Sequence, residues 1–118
     1  LRIKAQNLEQ PVGTLSGGNQ QKVVLGKMLL TQPRVLLLDE PTRGIDVGAK
    51  LEVYELINRL TAAGQAIVLV SSELGELLGM SDRILMLCQG RVGGVFERSA
   101  ATQEQLLAAA MGRTERAA

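Results

Sequence analysis

Polar and apolar residues follow two patterns along this chain: continuous apolar runs and stripes at helical spacing. The apolar runs are Val35–Leu38, Ala66–Val70 and Ile84–Cys88. Runs of this length are typical of buried strands, and we expect Val35–Leu38 to be a central parallel strand that is covered on both faces. Helical spacing extends from Asn19 to Leu30 and from about Val47 to Ala62. The pattern therefore predicts an α/β fold with parallel strands flanked by helices.

Each predicted helix has an apolar side that we expect to be buried. The first helix carries Lys22 and Lys27 on other faces, and its stripe consists of Val23, Val24, Met28 and Leu29. The stripe of the second helix consists of Leu51, Tyr54, Leu56, Ile57 and Leu60. Gly64 follows the second helix as a carboxyl-terminal cap, and an apolar strand comes soon after it. Strand, helix and strand at this spacing form a crossover, so the two strands should be parallel.

The carboxyl-terminal part of the chain predicts a β-hairpin and a final helix. A short helix from Leu74 to Leu78 precedes the third apolar run, which ends at the turn Gln89–Gly90. Arg91–Glu97 then pairs back as the second strand of the hairpin. Thr102 and Gln105 have the spacing of a capping box for a helix that continues through the alanines after them.

Composition argues against two classes of function, binding of nucleic acid through stacked bases and spanning of a membrane. The net charge is +1, and one Tyr, one Phe and no Trp leave no platform on which nucleic-acid bases could stack. No apolar stretch approaches the length of a membrane span. The single cysteine, Cys88, cannot form an internal disulfide, so we expect a buried thiol in a reducing compartment.

The glycine pair near the start of the first helix is the first candidate for chemistry. Ser16 can cap that helix, which leaves unpaired backbone N–H groups and the positive end of the helix dipole pointing outward. Gly17 and Gly18 lack a Cβ, so a phosphate could come against the backbone, with hydrogen bonds from Ser16 and Gln20. Taken alone, Ser-Gly-Gly is more often a flexible loop.

Two adjacent carboxylates at the end of the first apolar run are the second candidate. In open α/β sheets ligands bind outside the carboxyl ends of the strands. Asp39 could therefore meet a hydrated Mg²⁺ on a nucleotide, while Glu40 orients or deprotonates the attacking water. Taken alone, an apolar strand that ends in Asp-Glu is common in α/β proteins without any metal.

The order of these motifs indicates a protein family more specifically than either motif does alone. Leu-Ser-Gly-Gly-x-Gln-Gln, an amphipathic helix, an apolar strand with Asp-Glu-Pro-Thr, and x-Gly-x-Asp follow one another over Leu15–Asp46. That string resembles the signature motif, Walker B strand and D-loop of ATP-binding-cassette (ABC) ATPases. The run from Asp39 to Lys50, Ser71-Ser-Glu73 and Gly79-Met-Ser-Asp-Arg83 are similar to the second nucleotide-binding half of bacterial sugar importers of the xylose and ribose type.

The resemblance implies a role for each motif residue. In this family two cassette halves sit head to tail, so Ser16, Gly17, Gly18 and Gln20 would complete an ATP site whose lysine belongs to the partner half. Asp39 as metal ligand and Glu40 as catalytic base would serve the other site.

Two further positions follow from the same resemblance. The D-loop residue Asp46 would join the nucleotide-binding set. Ser72 would occupy the catalytic switch position, where the family usually has histidine, a residue that this chain lacks altogether. Because a serine cannot become a cation near neutral pH, Ser72 agrees with a site that is weak in hydrolysis.

The resemblance also implies the fold and the extent of the protein. It implies a partial P-loop NTPase core, with a carboxyl-terminal portion of a nucleotide-binding domain over residues 1–112 and a flexible tail over residues 113–118. The first residue is Leu1, and the phosphate loop Gly-x-x-x-x-Gly-Lys-Ser/Thr does not occur. We therefore expect the carboxyl-terminal part of a longer ATPase, inactive as an isolated piece.

The expected cofactors are ATP and Mg²⁺, and the expected process is pentose import. The partners would be an amino-terminal or partner cassette half, transmembrane permease subunits and, indirectly, a periplasmic sugar-binding protein, with no nucleic acid. The protein would lie at the cytoplasmic face of the bacterial inner membrane, held there by the permease. Two alternatives stay open: a soluble ABC ATPase that acts on nucleic acid or ribosomes, and a non-catalytic regulatory fragment.

Overall fold

The structure is a computed structural model that describes residues 2–113. The chain forms two compact units, which divide between Val70 and Ser71. Of the tail predicted over residues 113–118, all but Arg113 lies outside the described residues. Within the described range, no helix is long and apolar enough to cross a membrane.

The first unit contains the strand-helix-strand crossover that the sequence predicts. A 3-10 turn at Val12–Thr14 precedes the helices and strands, which are α1 (Gly17–Leu29), β1 (Val35–Asp39), α2 (Val47–Ala62) and β2 (Ala66–Val70). The two strands are parallel, with Val35 opposite Ala66 and Asp39 opposite Val70. Gly64 ends α2 with a φ of 96°, a left-handed conformation that glycine adopts without steric cost. The predicted boundaries of α2 and β2 are confirmed.

The core of the first unit lies on one side of its sheet. Its buried apolar residues include Leu25, Leu36, Leu38, Val53, Leu56 and Ile57. In β1 burial alternates, so that Val35 is 56% exposed and Leu37 is 68% exposed. The prediction that Val35–Leu38 is covered on both faces is therefore wrong for this structure. Here β1 pairs with β2 in a two-stranded sheet, and only one of its faces is packed.

The buried side of α1 is rotated relative to the predicted stripe, whereas α2 buries part of its predicted stripe. In α1 the buried side includes Lys22 and Leu25, whereas Val24 is 50% exposed. In α2 Val53 is buried, whereas Leu51 is 55% exposed. Lys22 was expected on a solvent face, and its burial is the largest departure from the sequence pattern.

The second unit is a β-hairpin packed against two helices. Its elements are α3 (Leu74–Met80), β3 (Arg83–Cys88), β4 (Arg91–Glu97) and α4 (Gln103–Ala110). β3 and β4 are antiparallel, with a bulge between Met86 and Leu87. The buried core of the unit consists of Leu77, Ile84, Met86, Leu106 and Ala109. The predicted hairpin is confirmed, and so is the capping box, because Thr102 and Gln105 exchange both hydrogen bonds.

Candidate functional site

Ser16 shapes the amino-terminal tip of α1. Its Oγ accepts the N–H of Asn19 at 3.3 Å, and its carbonyl accepts the N–H of Gln20 at 2.9 Å. The N–H groups of Gly17 and Gly18 therefore come before the first helical hydrogen bond. Gly17 is exposed and Gly18 is buried. An anion that approaches along the helix axis would meet the backbone at Gly17 and the positive end of the helix dipole.

Gln20 braces the loop in front of that tip. Its Nε2 donates to the carbonyl of Leu15 at 2.9 Å and to the carbonyl of Gly13 at 3.4 Å. The donating end of the amide is therefore engaged within the loop. In this structure Gln20 orients the turn that leads into Ser16, whereas the sequence predicts a direct bond from Gln20 to a phosphate.

The end of β1 holds the two adjacent carboxylates. Asp39 is exposed and Glu40 is half-buried, and the two residues after them, Pro41 and Thr42, are buried. Glu40 has a φ of 49°, in the left-handed region that non-glycine residues seldom adopt. Its N–H donates to the carbonyl of Val70 at 2.7 Å, which ties this turn to the end of β2. The chain thus holds Glu40 in a strained turn directly after the strand.

Asp39 and Glu40 suit a metal that arrives with a nucleotide. Within residues 2–113 there is no group of three or more His, Cys, Asp or Glu side chains that could hold a metal ion. Mg²⁺ in nucleotide sites keeps several waters and takes only one or two protein carboxylates, with phosphate oxygens as further ligands. One exposed carboxylate at a strand end fits that need, so the donor set is compatible with nucleotide-bound Mg²⁺.

Asp46 is the amino-terminal cap of α2. Its Oδ1 accepts the N–H of Ala49 at 2.8 Å, and its backbone is extended, as expected for a cap. This contact gives Asp46 a defined structural role in addition to the place in the nucleotide-binding set that the ABC resemblance implies. The same carboxylate fixes the turn that brings α2 beside α1.

The tips of α1 and α2 touch, which the sequence does not reveal. A Cβ added at Gly18 would lie 2.7 Å from the Cβ of Ala49, and one added at Gly17 would lie 3.7 Å from the carbonyl oxygen of Gly44. Small residues on both sides are the signal that could have predicted this approach. The structure therefore brings the signature glycines together with the turn that Asp46 caps.

Ser72 lies in the second unit, where it is exposed. The neighbouring Ser71 accepts the N–H of Glu73 through its Oγ at 3.1 Å. Glu73 occupies the N-cap position of α3. The loop between β2 and α3 is thus organised by Ser71.

Comparison with known proteins identifies the family. A family model described as ABC transporter matches residues 1–43. The xylose import ATP-binding protein XylG of Moorella thermoacetica is 67% identical over 112 residues, and its counterpart in Geobacillus kaustophilus is 59% identical over the same length. Each alignment covers 95% of this chain. The chain belongs to the ABC ATPases. It spans only 22% of the length of these two relatives, so it corresponds to a part of them.

Solved ABC ATPase cassettes have the same fold. A dimeric bacterial ABC transporter cassette matches with a TM-score of 0.73 and 25% identity over 81% of this chain and 41% of its own. A dimeric post-hydrolysis state of the same cassette, with ADP and Pi bound, matches with a TM-score of 0.74, with the same identity and coverage. The P-loop NTPase fold predicted from the ABC motifs is therefore confirmed.

Proposed function

We propose that this chain supplies one face of a composite ATP site in a monosaccharide-import ATPase. The observation that carries the proposal is the tip of α1, where Ser16 caps the helix and Gly17 is exposed, so that an anion could reach the first-turn N–H groups. Its 67% identity to a xylose import ATP-binding protein supports the same activity. In the head-to-tail arrangement that the ABC resemblance implies, the opposite face of the site, with its lysine-bearing phosphate loop, would come from another cassette half.

Ser16 and the first-turn N–H groups would bind the phosphates of an ATP held by that other half. The contacts depend on negative charge close to the helix end, so they would be stronger with the γ-phosphate than after it has left. Gln20 would act by holding the loop from Gly13 to Leu15 in place. Closure of the two halves around ATP and opening after hydrolysis would then supply the motion that drives import.

Asp39 and Glu40 would serve a second site on the same chain. Mg²⁺, when bound with ATP, would neutralise phosphate charge there. Asp39 would hold the hydrated ion through its exposed carboxylate, and Glu40 would orient the attacking water and accept its proton. Asp46 would fix the turn between the two sites, and Ser72 would hydrogen-bond phosphate or water without supplying a positive charge.

The proposed partners are a second cassette half, a transmembrane permease and, through the permease, a periplasmic sugar-binding protein. The permease would hold the ATPase at the cytoplasmic face of the inner membrane. Two solved structures of one similar cassette are described as dimeric, which supports a second cassette half as partner. Because sugar recognition would lie in other subunits, the identity of the pentose follows from the relatives' names alone.

A chimera tests the proposal in a complete ATPase. In the Moorella protein, the segment that matches this chain would be replaced by the chain's own residues, and Mg²⁺-dependent ATP hydrolysis would be measured. We expect the chimera to hydrolyse ATP, and we expect xylose uptake when it is produced with the Moorella permease and binding protein. A folded chimera without ATPase activity would overturn the proposal. Recovery of ribosomal proteins and no permease in a pull-down would favour a soluble ABC ATPase instead.

The role of the tip is tested by Ser16→Arg in the same chimera. An arginine there removes the cap and fills the space in front of Gly17, so we expect turnover to fall by about tenfold or more. Ser99→Arg, at an exposed serine in the second unit, is the matched control and should leave turnover unchanged. Equal activity of the two variants would show that the tip does not contact ATP.

A further inference from the structure

Lys22 is a buried cation in the helix that carries the signature. It is 7% exposed, although it lies in a helix whose other lysine, Lys27, is exposed. Burial of an ammonium group is unfavourable unless charge and hydrogen bonds compensate it. The contacts of Lys22 therefore indicate what its burial achieves.

Two partners from different parts of the first unit meet the Lys22 ammonium. Its Nζ forms an ion pair with Glu52 of α2 and donates to the carbonyl oxygen of Arg2 at 2.7 Å. One turn earlier on α1, the Oδ1 of Asn19 accepts the N–H of Lys4 at 3.1 Å. The segment before the signature is thus held against α1 at two points, Arg2 and Lys4.

The ion pair and the glycine contact lie on the same side of α1. Gly18 and Lys22 are one helical turn apart, and their partners on α2, Ala49 and Glu52, are also about one turn apart. Two contacts at different positions along the helix axis fix both the distance and the rotation between the helices, which one contact could not do. The direction of the signature tip is set by that rotation.

We infer that Lys22 is a positioning residue for the signature, acting through Glu52 and the Arg2 carbonyl. The inference rests on the proposed function, since Lys22 would orient the amino-terminal end of α1, with Ser16, toward ATP. Buried ion pairs contribute little net stability compared with apolar residues of the same volume. We therefore expect this pair to act mainly on the orientation of α1. The pair also links the segment before the signature to the helix after the D-loop.

The test uses the ATPase chimera and separates KM from kcat. A loss of folded protein lowers kcat and leaves KM unchanged, whereas a misdirected signature weakens ATP binding and raises KM. We expect Lys22→Met to raise the KM for ATP by about tenfold, and Lys22→Arg to stay within about twofold because it keeps the charge and the donors. Lys27→Met, in the same helix, is the control and should have no effect. An unchanged KM in Lys22→Met would overturn the inference.

A charge exchange separates the two partners of Lys22. The double variant Lys22→Glu with Glu52→Lys can restore the ion pair, but a glutamate cannot donate to the Arg2 carbonyl. We expect its KM to lie between that of Lys22→Glu alone and that of the unsubstituted chimera. A double variant no better than Lys22→Glu alone would overturn the role of the ion pair.

Hydrogen exchange tests this inference independently of the proposed function. In a chimera that folds but does not hydrolyse ATP, the proposed function fails, and the positioning role can still be measured. We expect Lys22→Met to speed the exchange of amides near Ser16–Gln20 more than those near the end of α1. Equal changes along the whole helix would indicate a general structural role and overturn the inference.

Discussion

Gly18 and Ala49 approach so closely that a Cβ at Gly18 would lie 2.7 Å from the Cβ of Ala49. Both residues are buried, and each lies in the first turn of its helix. The tip of the signature helix therefore rests directly on the start of α2. This contact requires a glycine, because any side chain at position 18 would separate the two helices.

Gly18→Ala should destabilise the first unit for that reason. Forcing a methyl group into a packed contact costs about 1–3 kcal/mol in free energy of unfolding. Adding Ala49→Gly removes the clashing methyl group and should recover part of the loss, so the two substitutions should be coupled favourably. Urea unfolding of the four variants measures the coupling. Additive effects would mean that the helices do not meet at these residues.

Gly17→Ala should separate folding from function. A Cβ at Gly17 would find its nearest neighbour, the carbonyl oxygen of Gly44, at 3.7 Å, an ordinary contact. Because alanine also favours helix, we expect a change in unfolding free energy within about 1 kcal/mol. In the ATPase chimera the same methyl group would stand where a phosphate approaches the backbone, so turnover should fall. Full activity would exclude close contact between the phosphate and Gly17.

Glu40→Gly should stabilise the chain while it removes the proposed base. Glu40 has a φ of 49°, and a non-glycine residue in this conformation costs about 1–2 kcal/mol. Gln32→Gly is a matched control because Gln32 also has a φ of 49°. Both variants should unfold at higher urea concentration, but only Glu40→Gly should lower ATP hydrolysis in the chimera, by the share that the Asp39–Glu40 site contributes. A Glu40→Gly chimera with the same turnover as the unsubstituted chimera would contradict the catalytic assignment.

Substitutions at Lys22 and at Glu52 should lower the free energy of unfolding by unequal amounts. Glu52→Gln leaves the buried ammonium of Lys22 without its counter-charge, whereas Lys22→Met leaves a carboxylate that is 46% exposed and can be hydrated. We expect Glu52→Gln to cost about 1–2 kcal/mol in free energy of unfolding, less than the ~3–5 kcal/mol of a fully buried pair. Lys22→Met should cost less than Glu52→Gln. The opposite order in urea unfolding would mean that Lys22 is solvated in solution.

Turn and capping residues explain why the helices and strands of the fold were predicted well. Gly64 ends α2, Gln89–Gly90 forms the hairpin turn, and Thr102 caps α4. Each acts through local backbone geometry, which the identity of the residue largely determines. Strand direction followed as well, because a crossover through one helix permits only a parallel pair.

The buried side of α1 was not predictable in the same way. Lys22 is charged, which favours a solvent-exposed face, yet the charge of Glu52, distant in sequence, allows its burial. Val24 is apolar and was assigned to the core, yet it is 50% exposed. Which side of a helix is buried depends on where its neighbours lie, and the sequence pattern gives only an average expectation. The Gly18–Ala49 contact escaped prediction for the same reason.

The motif residues themselves were found from the sequence, but their local bonds were not. Ser16 and Asp46 cap their helices as their residue types suggest. The amide of Gln20 binds loop carbonyls, and nothing in the sequence indicates that the backbone of Glu40 is left-handed. Their assigned roles toward ATP and Mg²⁺ stay predictions that the variants above will test.

The uncovered strand faces have a practical consequence for those measurements. Leu37 is 68% exposed on β1, and Leu87 is 63% exposed on β3. Dyes such as anilinonaphthalene sulfonate fluoresce when they bind exposed apolar surface, a response usually taken as a sign of a molten globule. The folded chain should therefore bind such a dye strongly before any heating. A dye-based thermal shift would begin from a high signal and would mistake a native surface for unfolding, so circular dichroism is the appropriate readout.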